Sequence, residues 1–166
     1  KIWVQVAIVG CVAAAHWLAF FGSIKVSNVS VALATLASTP LFVSFLEPLI
    51  YRRKMDWREA ILGIVILLGL AVLLFGPTSE NGQSPLQSSD YYLGIGLALI
   101  SAFLAAVFST LNGILVRNHD SANLTRVELL SAAGVLAVLF LVSGDGWQWS
   151  YWVIPQSDWL WLGLLA

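Results

Sequence analysis

HWLAFFGSIKVSNVSVALATLASTPLFVSFLEPLIYRRK, residues 16–54, is two long apolar runs closed by a block of three cations. Ahead of that block it carries only two charged residues, Lys25 and Glu47. A water-facing helix of this length needs a polar face, and a barrel strand alternates apolar with polar over about ten residues. Neither pattern is present: the run 29–51 is apolar on all sides, so its surroundings are lipid and its backbone must satisfy itself as helix.

The same character extends both ways. Of 166 residues, 59% are hydrophobic and 10% charged, against about a quarter charged in an ordinary soluble domain. The apolar stretches 2–23, 29–51, 57–75, 91–116 and 124–142 are each near the length that crosses a hydrocarbon core at 1.5 Å per residue. Residues 159–166 begin a sixth. The fold class expected is therefore all-α, a polytopic helical membrane protein. The chain opens at Lys1 without a methionine and ends inside an apolar run, so both ends read as cut.

Charge sets the orientation. Counting alternate sides, one receives Lys1, Arg52, Arg53, Lys54, Arg58, Arg117 and Arg126, and the other only Lys25. Basic connections stay in the cytoplasm. The loops 52–58 and 117–126 are then cytoplasmic, and 24–28, 77–90 and 144–158 external, in a multi-pass protein of the cell (plasma) membrane. Trp147, Trp149, Trp152, Trp159 and Trp161, with Tyr151, cluster at the last external connection, where indole rings favour the headgroup zone. A net charge of −1 offers no basic field for nucleic acid. The single cysteine, Cys11, excludes an intrachain disulfide and a cysteine-built metal site.

The quoted segment resembles the drug/metabolite transporter superfamily, specifically its EamA-type repeat. The likeness lies in residues 20–27, FFGSIKVS, then the span 31–42 with Pro40 at the family's proline, and REAILGIVILLGLAVLLF, 58–75, as the closing span. Many such repeats place a glutamate about thirteen residues after the proline. Here that position is Arg53, and a carboxylate comes earlier, at Glu47. The resemblance implies ten helices in two inverted five-helix repeats, of which this chain supplies helices three to eight. Residues 1–76 would close the first repeat, 77–90 form the external junction, and 91–166 open the second. It also implies transport, with the third helix bordering a central cavity.

Polar residues inside spans are the candidates for a transport path. His16, Phe20 and Ser23 share one face of the first span. Asn28, Ala32, Thr35, Thr39 and Phe42 form a mildly polar stripe on the second, with Ser38 beside it. Pro40 removes an N–H and loosens the helix near Leu36. On the fourth span Ser101, Ser109 and Asn112 share a small-residue face. Each set reads equally as close packing with hydroxyls bonded back to their own helix. Glu47, a turn from the basic block, reads as an ion pair or a cytoplasmic gate. Arg52, Arg53, Lys54, Arg117 and Arg126 read as topology determinants.

The polar groups inside the spans are read as mostly neutral hydroxyls and amides, which suits binding better than catalysis. No phosphate loop, zinc-ligand pair or nucleophile elbow occurs, so no enzyme, metal or cofactor is expected. The function expected is a secondary transporter moving a small organic metabolite, such as an amino acid or drug-like compound, by alternating access. The alternative is a non-transporting integral membrane protein such as a membrane-embedded enzyme or sensor. The partners expected are a small-molecule substrate and the lipid bilayer.

Overall fold

A computed structural model describes residues 2–54, 57–75, 89–117 and 119–143. The loop 77–90 lies almost wholly outside them, as do the tryptophan-rich connection and the run from 159. The described residues form helices α1 (Ile2–Val26), α2 (Val29–Leu36), α3 (Thr39–Tyr51), α4 (Trp57–Phe75), α5 (Ser89–Leu115) and α6 (Ser121–Val142), with no strand among them. Four stretches are long and apolar enough to cross a membrane: Ile2–Val26, Val29–Tyr51, Ser89–Leu115 and Ser121–Val142. The 19 residues of α4 rise about 28 Å. This is an all-α, multi-pass membrane protein.

The second span is broken into α2 and α3. Pro40, in the first turn of α3, has no N–H to give the Leu36 carbonyl, and its ring would clash with that carbonyl in a continuous helix. The chain turns instead at Ala37 and Ser38. Hydroxyls replace the lost ladder: Thr39 Oγ1 donates to the Leu36 carbonyl at 2.6 Å and Ser38 Oγ to that of Thr35 at 2.7 Å. Asn28, placed by its spacing in the polar stripe, is the N-cap of α2, its Oδ1 accepting from the Val31 N–H at 2.9 Å.

The chain divides into two compact units, residues 1–133 and 134–166. In the first, α5 packs against α1, α2 and α3. Its buried line runs Gly94, Ala98, Ala102, Ala106 and Thr110, small side chains that let helix backbones approach where lipid supplies no hydrophobic drive. A Cβ at Gly94 would collide with the Ser27 side chain. One at Gly10 would collide with the Glu128 carbonyl and meet Ser131 Cβ at 2.9 Å, so α1 and α6 touch backbone to backbone there. Of the second unit the structure describes residues 134–143, whose large side chains Val138, Leu141 and Val142 are exposed.

These contacts sort the connections by end. The Tyr51 hydroxyl donates to the Thr110 carbonyl at 2.7 Å and Arg117 lies over the Tyr51 ring at 5.1 Å, which puts the basic ends of α3 and α5 together. Val6, Val9, Leu115 and Leu124 cluster at that same end. Ser27 against Gly94, and Val31 with Leu70 and Tyr91, mark the opposite end, near Lys25.

Candidate functional site

Because α3 starts afresh at Thr39, its first turns lean on α4 and α5 without filling the space between them. A cavity of about 550 Å³ results, lined by Thr39, Pro40, Ser44, Glu47, Leu62 and Ser109 among others. Four residues singled out from the sequence, Thr39, Pro40, Glu47 and Ser109, thus line one space. Its walls are mainly apolar, with hydroxyls from two helices and two carboxylates, Glu47 and Glu59, towards the basic end.

At that end Arg53 bridges two carboxylates: its Nη2 lies 2.5 Å from Glu47 Oε2 and 3.1 Å from Glu59 Oε2. Arg53 stands just past Arg52, which ends α3 in the left-handed region at φ 52°. That reversal turns the chain so a cation can sit between the end of α3 and the start of α4. All three side chains are partly exposed, so each pair contributes about 0–1 kcal/mol. The bridge lies at the cavity edge, since Glu47, Arg53 and Glu59 all line the cavity.

The other candidates lie elsewhere. His16 Nδ1 is 2.9 Å from both Oγ and the carbonyl oxygen of Ser101, and its ring stacks on Phe20 with centroids 6.3 Å apart. They belong to the α1–α5 seam. Ser23, Thr35 and Ser38 are fully buried; Ser38 Oγ donates to the Thr35 carbonyl of α2, while Ser23 Oγ and Thr35 Oγ1 have no partner among the described residues. None of these five lines the cavity.

Asn112 faces a residue the sequence reading passed over. Glu128 of α6 is 4% exposed, and Asn112 Nδ2 approaches its Oε2 at 3.4 Å. Among the described residues, Glu128 adds one carboxyl to buried polar groups that are otherwise hydroxyls. It was hidden in the sequence because it follows Arg126 near the start of α6, where a carboxylate reads as part of a solvated helix entry. Among the described residues no three histidine, cysteine or acidic side chains come together as metal ligands.

The broken second span, its proline and the helix that follows all fall in the first 75 residues. Residues 1–75 match the EamA-like transporter family. No curated protein and no solved structure matches the chain. The EamA-like segment ends with α4, so the cavity combines its Thr39, Pro40, Glu47 and Arg53 with Ser109 from beyond it. The likeness of residues 1–75 to a family of transporters suggests a membrane transporter-like function.

Proposed function

We propose that this protein is a secondary carrier for a small organic metabolite, working by alternating access in the plasma membrane, with the end bearing Arg52, Arg53, Arg58 and Arg117 in the cytoplasm. The carrying observation is the cavity beside the proline break. Its volume of about 550 Å³ falls within the roughly 300–1,000 Å³ of small-molecule sites, which are mostly apolar with a few placed polar groups. Non-helical backbone at membrane depth is tolerated where it borders a cavity, and interrupted helices form the binding sites of many transporters. Thr39 and Ser109 would orient the substrate, Pro40 would act as the hinge, and Glu47 with Arg53 as the cytoplasmic gate. Residues 1–76 and 91–166 would belong to two inverted repeats.

The test is flux of radiolabelled amino acids and other small metabolites into proteoliposomes of the full-length protein, followed by Ser109→Ala. Ser109 is exposed to the cavity, so removing its hydroxyl should leave the folded yield unchanged. A lost hydrogen bond of about 1–3 kcal/mol weakens apparent affinity about five- to hundredfold. Flux at the level of empty liposomes for every compound would sink the transport reading. Affinity unchanged by Ser109→Ala would move the site out of this cavity.

A further inference from the structure

Glu128 sits one helix away from the cavity and is not needed by the transport reading. Its carboxyl is almost wholly buried, yet its bonding is incomplete: Oε2 has one long contact from Asn112 at 3.4 Å, and Oε1 has no partner. Asn112 Oδ1 is buried and unpartnered too. Two acceptor oxygens thus lack donors at one α5–α6 contact. A carboxylate and an amide carbonyl cannot bond each other, whereas a carboxylic acid and an amide can, through O–H to the carbonyl and N–H to the acid oxygen.

Among the described residues on the helices that meet Glu128, no cation is placed to supply the missing donor. On α1 the titratable side chains are Cys11, which is exposed, His16, held at Ser101, and Lys25 at the far end. On α5, Asp90, Tyr91 and Tyr92 lie in its first turn, and beyond its other end Arg117 sits over Tyr51 and His119 on the Leu115 carbonyl. On α6, Asp120 receives the Asn123 N–H and Arg126 contacts Asn123. The ion pairs of Arg53 lie with Glu47 and Glu59, away from Glu128. An isolated charge in such surroundings neutralises instead.

We propose that Glu128 and Asn112 form a proton-binding site, with the proton on Glu128 in the packed bundle and the acid paired to the Asn112 amide. A proton needs no room, which fits a contact where neither residue lines a described cavity. Exchange of that proton with water requires α1 and α6 to part, because their backbones touch at Gly10 and Glu128. In a carrier such a site links proton uptake to helix separation; that use, though not the proton itself, rests on the transport reading.

The experiment is infrared difference spectroscopy of the full-length protein in lipid nanodiscs, with the proton and deuteron of the buffer as the only ligands. Wild type minus Glu128→Gln should show one carbonyl band of a protonated carboxylic acid, shifting in heavy water and fading as the buffer is made alkaline. Asn112→Leu should move that band, since the acid loses its amide partner, and Gly10→Ala should let it exchange into heavy water faster. A carboxylate band in place of the acid band overturns the proposal. So does an acid band unmoved by Asn112→Leu, and exchange unchanged in Gly10→Ala overturns the seal. Thermal unfolding of each variant confirms that it is folded. The measurement needs no substrate, so its failure leaves the transport reading standing.

Discussion

His16 and Ser101, 85 residues apart in the chain, meet across the α1–α5 seam with the imidazole Nδ1 2.9 Å from both the serine hydroxyl and its backbone carbonyl oxygen. A protonated Nδ1 donates to the Ser101 carbonyl, whereas a bare Nδ1 accepts from the Ser101 hydroxyl, so the tautomer decides which bond forms. Either way His16 bonds across the α1–α5 seam. His16→Leu should lower the stability of the detergent-solubilised protein by about 0.5–2 kcal/mol, the range of interhelical hydrogen bonds in membranes, and His16→Gln by less. Thermal unfolding reads this. Lost flux at unchanged stability in His16→Leu would instead place the histidine in the transport path.

Thr39 and Pro40 should be energetically coupled. The hydroxyl of Thr39 occupies the Leu36 carbonyl because the Pro40 ring supplies no N–H. Thr39→Val alone should cost about 0.5–1.5 kcal/mol. In a Pro40→Ala background, where a backbone N–H is restored for that carbonyl, the same change should cost markedly less. A double-mutant cycle of unfolding free energies checks it; strict additivity would mean that the carbonyl does not depend on the threonine.

The Arg53 bridge should be weak and salt-sensitive. With all three partners partly exposed, the coupling of Arg53 to Glu47 or to Glu59 should come to about 1 kcal/mol or less, and should shrink as salt is raised to about 1 M, where charges are screened within about 3 Å. Cycles built on Arg53→Gln, Glu47→Gln and Glu59→Gln measure each pair. A coupling above about 2 kcal/mol, unaffected by salt, would make the bridge a fixed strut and remove it as a gate.

Orientation is testable at two described positions. In a Cys11→Ser background, Lys25→Cys should react with an impermeant maleimide on intact cells and Asn123→Cys should not, since seven of the eight basic residues fall on the side of Asn123. Labelling in the reverse pattern would turn the whole bundle over.

Helix positions were legible in the sequence because span length is set by bilayer thickness, and long uncharged runs leave little choice. Pro40 showed a weakness near Leu36, but not the full break into two helices at Ala37 and Ser38. Which residues would share a space was only partly legible. Thr39 and Ser109 meet in the cavity, but Thr35 and Ser38, on the same stripe as Thr39, are buried away from it. Helix faces that are apolar all round are sorted by small-residue packing, a contest between helices that one sequence does not display. Glu128 escaped notice for another reason: it follows Arg126 at the start of an apolar run, where a carboxylate reads as part of a solvated helix entry.

The interruption of the second span also bears on how the protein is made. An eight-residue helix such as α2 rises about 12 Å and cannot cross a bilayer, nor can α3 alone. The insertion machinery therefore has to admit residues 29–51 as one greasy segment, judged by its summed transfer energy and not by the continuity of its hydrogen bonds. The turn at Ala37 and Ser38 then takes its final form inside the membrane, once α5 arrives to pack against both halves. Insertion and packing thus make opposite demands on the same 23 residues: hydrophobic enough to enter as a unit, yet broken in the folded bundle.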